Sequence, residues 1–398
     1  MTPHTRSATI PPAHTEKAWG AVGSMTLCVA MLIASEFMPV SLLTPIASDL
    51  HATQGMAGQA IAISGFFAVA TSLIIATVAS RFDRRHVLIT LTAVMVASLA
   101  LIAEAPNFGV LMVARALLGI TIGGFWSLAT ATVMQLVSPP EVPRALGVMY
   151  MGNAAATALA APVGSYLGSV MGWRGVFWLL VPVGLLTLLW QALALPKMPP
   201  MRAIPPSRVL GLLKRPHVRT AVMAAMLAFS GAFAAFTYFR PFLETRAHAS
   251  VAQLSLLLLT MGAAGFVGTS GATALLSRRL YQLLWICPLL LAIVTTSLIE
   301  LAPVVWLTAA GLAVWGALNA ALPVAWFNWL AQEVQDETEA GGGLMVGAIQ
   351  LAIMAGAGLG GTLLDHRSVE ATFLGASALL LAATAMAASR RRLRANSA

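Results

Sequence analysis

The sequence predicts an all-α membrane protein with twelve transmembrane helices in two pseudo-symmetric halves of six. Composition is the first reason: 59% of the residues are hydrophobic and 9% are charged, against about 45–50% and about 25% in soluble domains. The second is a series of apolar runs of about 20 residues, the length that crosses a bilayer core of about 30 Å. The third is a polar segment that divides these runs into two equal sets. The surplus apolar surface excludes a soluble fold.

The apolar runs set the predicted domain organisation. They begin near Trp19, Ala57, Val87, Gly109, Leu146 and Gly175 in the first set, and near Val218, Val251, Leu283, Val305, Leu344 and Val369 in the second. Residues 195–216, between the sets, are rich in proline and basic residues and predict a linker outside the membrane. The predicted units are a polar tail (1–18), a first half (19–194), the linker (195–216), a second half (217–389) and a basic tail (390–398).

The basic residues predict the orientation of the chain. The net charge is +9, but the lysines and arginines lie in short runs between apolar segments, so no nucleic-acid partner is expected. With the N-terminus inside the cell, most of them fall on the cytoplasmic side, and Arg174, Arg240, Arg246 and Arg367 face out. Because Lys and Arg accumulate in cytoplasmic loops, both termini and the linker are expected in the cytoplasm.

The sequence gives no signal for an enzyme, a metal site or a cofactor. Cys28 and Cys287 lie in apolar runs, without the spacing of metal ligands or of a disulfide framework. The histidines fall in tails, loops and helix ends, and neither a Walker A motif nor a His-Glu-x-x-His motif occurs. No catalytic residue is therefore expected.

A shift of 197 positions superposes features of the two halves. It places Ser80-Arg81 on Ser277-Arg278, Gly119 on Gly316 and Gly164 on Gly361. These matches predict two copies of one six-helix unit, an arrangement in which a transporter's substrate site lies near the midplane between the halves.

The loop after the second run carries Arg81, Asp83, Arg84 and Arg85. It resembles the cytoplasmic loop signature of the major facilitator superfamily, Gly-x-Leu-x-Asp-Arg-x-Gly-Arg-Arg. The sequence departs from that pattern, because Ala76 and Ser80 stand at its first Gly and its Asp, and Asp83 stands at its second Gly. Two interpretations remain: a charge relay that stabilises one conformation, or a basic anchor on the cytoplasmic side.

Two further motifs resemble those of the same family. Arg115, Gly119 and Gly123 resemble its fourth-helix arginine motif, and Pro162 with Gly164 resembles the antiporter motif of its fifth helix. Small residues also let helices approach closely, and proline kinks a helix. Packing alone is therefore the competing interpretation.

Longer phrases are similar to purine ribonucleoside exporters within the drug and sugar proton-antiporter group of the family. They are EFMPVSLLTPIASDL (36–50), LGITIGGFW (118–126), APVGSYLGSVMGWRGVF (161–177) and FTYFRP (236–241). The resemblance implies a monomeric pump of the bacterial inner membrane that exports inosine- or guanosine-like compounds by proton antiport and alternating access. Sugar export of the arabinose type and drug export are alternatives. A non-transporting membrane sensor is an alternative of another class, although it would be expected to carry a sizeable soluble output domain.

Glu36 and Arg115 are charged residues inside the first and fourth apolar runs. Such residues are costly in lipid and usually mark ion or proton pathways. Counted from the run ends, Glu36 lies about 25 Å from the inner side and Arg115 about 9 Å from the outer side. Since helices one and four are neighbours in the family, the two are expected to meet, with Glu36 carrying the coupling proton and Arg115 adjusting its affinity. Solvation of Glu36 at the outer interface and snorkelling of Arg115 are the alternatives.

The remaining polar and aromatic residues within the runs are candidates for a substrate cavity. They are Tyr150, Asn153, Phe236, Tyr238, Trp315, Asn319, Trp326 and Gln350. The amides are the better candidates, because a neutral amide in lipid needs hydrogen-bond partners, whereas Trp and Tyr also form interfacial belts. Aromatic rings and amides suit a neutral nucleoside, and they suit a sugar or neutral drug equally well.

Overall fold

The computed structural model describes residues 12–198, 206–388 and 393, and the rest of both predicted tails and of the linker lies outside the described residues. The helices are α1 (Pro12–Asp49), α2 (Gln54–Ala79), α3 (Arg84–Ala103), α4 (Phe108–Leu136), α5 (Val142–Ala194), α6 (Pro206–Gly211), α7 (Pro216–Phe236), α8 (Phe239–Thr245), α9 (Val251–Leu301), α10 (Val305–Glu333), α11 (Thr338–His366) and α12 (Val369–Ala387). No strand occurs in the described ranges. The predicted all-α fold class is confirmed.

Two of these helices each contain two membrane spans. In α5 the break is at Gly172, with φ 73° and ψ 164°, a conformation that glycine adopts without the strain a Cβ would cause. In α9 the break is at Arg279, with φ −135° and ψ 22°. The apolar segment Pro139–Ala194 is 56 residues long, which is more than twice the length of about 20 residues that one membrane crossing needs. With α5 and α9 each counted as two, the described residues hold twelve long apolar spans.

The two ends of the helix bundle are distinguished by their connecting segments. We call one end the linker side, because the described linker residues, 195–198 and 206–215, lie there together with residues 80–83 and 334–337. We call the opposite end the far side, where residues 50–53, 104–107 and 246–250 connect the helices.

The predicted duplication is visible in the helix packing. A Cβ atom added to Gly119 on α4 would lie 2.2 Å from the carbonyl oxygen of Ser64 on α2. A Cβ atom added to Gly316 on α10 would lie 2.0 Å from the carbonyl oxygen of Met261 on α9. Both partners move by the same 197 positions, so the close helix contact of the first half recurs at the equivalent place in the second.

A second pair of contacts obeys the same shift. Gly164 on α5 faces Ser41 on α1, whose Oγ would lie 2.7 Å from an added Cβ. Gly361 on α11 faces Tyr238, whose Oη would lie 2.5 Å from an added Cβ. The two halves, α1–α5 and α7–α12, are thus pseudo-symmetric copies, as predicted.

Candidate proton and substrate site

Glu36 and Arg115 are both buried inside the first half. Their exposed fractions are 4% and 1%. Among the described side chains, Glu36 is the one buried carboxyl group. The two charges interact electrostatically but form no direct ion pair in the part of the chain that the structure describes. Glu36 is therefore shielded from solvent and lies in the electric field of a cation with which it forms no ion pair.

Arg115 instead binds backbone carbonyl groups. Its Nε donates to the carbonyl of Ala60 at 2.9 Å, and its Nη1 donates to the carbonyl of Ser35 at 2.8 Å. The Ser35 carbonyl needs such a donor because Pro39, four residues later, has no N–H to bond it. Arg115 thus replaces the hydrogen bond that the proline removes from α1.

Gln350 joins Glu36 from the second half of the molecule. Its side chain on α11 is hydrogen-bonded to the Glu36 carboxyl, and its exposed fraction is 8%. Gly65 permits this approach, because an added Cβ there would lie 3.0 Å from the Gln350 carbonyl oxygen. The buried carboxyl therefore lies where the two halves meet.

An aromatic cluster lies beside this polar contact. The ring of Phe37, the neighbour of Glu36, is 5.9 Å from Phe233 and 5.5 Å from Phe236. Phe236 in turn stacks on Trp315 at 6.2 Å with an interplanar angle of 8°. Trp315 is buried and its Nε1 donates to Thr295 at 3.1 Å. Phe236 and Trp315, two of the predicted cavity residues, thus adjoin the Glu36 region through Phe37, with Trp315 packed into the second half.

The remaining amides and Tyr150 lie nearer the linker side. Tyr150 is 46% exposed and stacks on Trp126 at 6.1 Å. Trp126 is eleven residues after Arg115, which places it on the same face of α4 and about 16 Å nearer the linker side. Asn153, almost one turn beyond Tyr150, and Asn319 on α10 are both half-buried. By their positions along the helices, these residues lie at depths between Glu36 and the linker side.

Tyr238 and Trp326 have different surroundings from those expected of cavity-lining residues. Tyr238 is fully buried, and its Oη donates to the Ala357 carbonyl at 2.7 Å. Trp326 is fully buried against Trp329, with ring centroids 6.2 Å apart. In this conformation both rings fill helix packing and neither lines open space.

The loop residues of the family signature anchor the start of the linker. The Asp83 side chain caps α3 by accepting from the Arg85 N–H at 2.9 Å and also accepts from the Met198 N–H at 3.1 Å. The Arg84 N–H donates to the Met198 carbonyl at 3.0 Å, and the Arg85 Nη2 donates to a carbonyl of α5 at 2.6 Å. Arg81 is exposed. Asp83, which departs from the family pattern, is the residue with the clearest structural role.

The small residues of the other two motifs serve close packing. A Cβ added to Gly123 would lie 2.0 Å from the Ala68 carbonyl oxygen. Pro162 leaves the carbonyl of Ala158 without its intrahelical donor, and Gly262 of the second half approaches that carbonyl so closely that an added Cβ would lie 2.2 Å away.

A set of polar contacts that was not predicted from the sequence joins the two halves on the far side. Thr44 Oγ1 donates to Glu244 Oε2 at 2.6 Å, and Arg240 donates to a carbonyl of α1. Asp365 accepts from the Gly55 N–H at 2.9 Å. Pro45 was the available signal, because a proline inside a membrane helix leaves a carbonyl that requires a donor.

The fold and this site define a multi-pass membrane protein with a polar centre between two six-helix halves, the arrangement of a transporter. The chain belongs to the Major Facilitator Superfamily, whose family model matches residues 25–339. The predicted family is confirmed. Membership of this family makes the chain a membrane transporter of small molecules.

The most similar proteins include two bacterial relatives. The chain is 48% identical, over 370 residues and 92% of each chain, to a Pseudomonas aeruginosa protein named transcription regulatory protein OpdE. It is 37% identical, over 375 residues and 94% of each chain, to the purine ribonucleoside efflux pump NepI of Salmonella typhi. Among solved structures, a bacterial homolog of the human lysosomal transporter Spinster has a TM-score of 0.77 at 14% identity and covers 98% of this chain and 100% of its own.

Proposed function

We propose that this chain is a proton-coupled exporter of small neutral molecules of the purine ribonucleoside class. The observation that carries the proposal is the buried Glu36 carboxyl, which contacts Gln350 of the other half and feels the charge of Arg115. A single chain supplies both halves of this site, so the proposed working unit is the monomer.

The position of Glu36 allows its protonation to alter the balance between conformations. As a carboxylate it is attracted by Arg115 and accepts from the Gln350 amide, whereas the neutral acid loses the attraction and can donate a hydrogen bond. Because Glu36 and Gln350 lie on different halves, the contact differs between conformations that close and open the space between them. Differential proton affinity of two conformations shifts their populations, which is the requirement for coupling.

The charges at the two ends of the bundle support a proposed orientation in the membrane. The linker side carries Arg81, Arg84 and Arg85 together with the basic residues of the described part of the linker, and fewer basic residues of the described chain lie on the far side. Because Lys and Arg accumulate in cytoplasmic loops, we place the linker side in the cytoplasm of a bacterial cell, with both termini there. The described contacts between halves at the far side then correspond to a state closed toward the outside.

The substrate class is supported by the aromatic rings, the amides and the relative NepI. Tyr150 and Trp126 offer ring faces for a purine base, and Asn153 and Asn319 offer amide groups for base edges and ribose hydroxyls. A neutral nucleoside needs no counter-charge in the cavity. A sugar exporter of the same mechanism would use the amides without the stacking.

The test is transport by purified protein in vesicles with an imposed pH gradient. Wild type should accumulate radiolabelled inosine against its gradient, and Glu36→Gln should abolish accumulation while exchange down a gradient persists. The matched control is Glu300→Gln, which removes an exposed carboxyl from α9 and should leave transport intact. Full accumulation by Glu36→Gln would contradict the coupling role. Movement of arabinose or cationic dyes without any nucleoside would replace the substrate class.

A regulatory role is the second candidate, because the 48% identical relative is named a transcription regulatory protein. Among residues 12–198 and 206–388, the connections between the long helices are short, and the described chain contains no soluble output domain. If wild type moves no solute in vesicles while deletion of its gene changes the expression of other genes, the regulatory role is favoured over transport.

A further inference from the structure

We propose that Arg240 is the positioning residue that holds the far side closed, by binding a carbonyl group of α1 that Pro45 leaves without a donor. The inference rests on the proposed alternating access and adds a residue to it.

The acceptor is created by the sequence of α1. Pro45 lies inside the helix and has no N–H, so the carbonyl of Ser41, four residues earlier, lacks its intrahelical partner. The Nη1 of Arg240 donates to that carbonyl. Arg240 lies on α8 of the second half, so the bond crosses between the halves.

The guanidinium is held in place by a second cross-half contact. Arg240 Nε donates to Glu244 Oε1 at 2.7 Å, and Thr44 Oγ1 of α1 donates to Glu244 Oε2 at 2.6 Å. The exposed fraction of Arg240 is 8%, so water competes little for its donors. Two residues of α8 thus bind two neighbouring positions of α1.

Arg115 shows why this location matters. Arg115 binds the carbonyl that Pro39 frees in the same helix, but both partners belong to the first half, so that bond survives when the halves separate. The bond from Arg240 to Ser41 must break for the far side to open. The same chemistry therefore stabilises a helix kink in one place and a conformation of the whole molecule in the other.

The experiment measures how often the far side opens. Ala57, which is buried beside Tyr238 at the cross-half contact, is replaced by cysteine in a full-length chain whose Cys28 and Cys287 are changed to alanine. The rate of labelling by a membrane-impermeant maleimide then reports the open population. Arg240→Gln should raise this rate at least about fivefold, which corresponds to about 1 kcal/mol.

Pro45→Ala provides the specific readout, because it restores an N–H for the Ser41 carbonyl and leaves Arg240 unchanged. It should also speed labelling, and Pro45→Ala combined with Arg240→Gln should label no faster than Arg240→Gln alone. The matched control is Arg246→Gln, because Arg246 lies on the same side but pairs with Glu370 within the second half.

Three results would overturn the proposal. In the first, Arg240→Gln is labelled at the rate of the Arg246→Gln control; in the second, the rate increases of Arg240→Gln and Pro45→Ala multiply in the double variant. In the third, Pro45→Ala does not change the labelling rate. If Arg240→Gln does not fold, the labelling rate of Pro45→Ala, compared with that of the Arg246→Gln control, tests the proposal. Labelling requires neither substrate nor proton gradient, so a failure of nucleoside transport leaves this test interpretable.

Discussion

The close contact of α4 with α2 makes Gly119→Ala an informative perturbation. The added Cβ would lie 2.2 Å from the Ser64 carbonyl oxygen, whereas ordinary contact begins at 3.4 Å, so the helices must separate by about 1.2 Å or the carbonyl must shift. Overpacking of this kind costs about 1–3 kcal/mol. Gly358→Ala on α11 is the matched control, because nothing lies within 4 Å of its added Cβ, and alanine is then favoured by about 0.5–1 kcal/mol.

The two variants should thus differ by at least about 1.5 kcal/mol in free energy of unfolding. Titration with SDS in mixed micelles measures that difference directly. The duplication adds a second expectation, that Gly316→Ala behaves like Gly119→Ala, because its added Cβ meets a carbonyl at 2.0 Å. Equal stability of Gly119→Ala and Gly358→Ala would refute the close packing.

Two further predictions concern polar contacts. Arg115→Met leaves the Ser35 carbonyl without a donor, so it should reduce the free energy of unfolding in SDS titration by about 1–3 kcal/mol. Adding Pro39→Ala should recover about 1 kcal/mol, because it restores an N–H for that carbonyl. Purely additive losses in the double variant would contradict the pairing of Arg115 with the Ser35 carbonyl. At the linker side, a hydrogen bond from Arg215 holds the pKa of Asp336 below its usual range. The contact between Arg215 and Asp336 therefore stabilises the folded state above the unfolded pKa of about 3.9, and this stabilisation is lost as the pH falls through the folded pKa. Asp336→Asn should therefore lower the melting temperature at pH about 7 and have no effect near pH 2; a constant difference at both pH values would contradict this.

Much of the fold follows from local features of the sequence. The apolar runs beginning near Val251 and Val305 coincide with the starts of α9 and α10, because span length and hydropathy are properties of short segments. The 197-residue shift can also be recognised from the sequence alone, since a close helix crossing needs a small residue at the same place in each copy.

The partners of the site residues were harder to predict. Depth along a helix placed Arg115 near Glu36, but the bond of Arg115 to Ser35 depends on which way each helix faces, which spacing alone does not determine. The prolines of α1 predict two of these partners. Pro39 and Pro45 each mark a carbonyl that requires a donor, and each such carbonyl has an arginine in the structure.

The aromatic candidates show where residue type is insufficient. Trp315 and Trp326 are as buried as core residues, while Tyr150 is half-exposed against Trp126. All are aromatic residues inside apolar runs, so composition and depth describe them alike. Their different surroundings come from the tertiary packing of α10, which carries both tryptophans, and of α5, which carries Tyr150.

The single buried carboxyl among the described side chains sets an energetic ceiling on the proposed exchange. Position 36 corresponds by the 197-residue shift to Phe233, so the second copy has no titratable group there. If one proton enters at Glu36 for each neutral solute that leaves, a membrane potential of 100 mV supplies about 2.3 kcal/mol per cycle. At about 1.4 kcal/mol per tenfold ratio, this potential alone sustains an outside-to-inside concentration ratio of about 40. Each pH unit of inward proton gradient adds about 1.4 kcal/mol and multiplies that ratio by about ten. The proposed pump is therefore strong when the outside is acidic, and at equal pH it relieves an excess of a metabolite without emptying the cytoplasm of it.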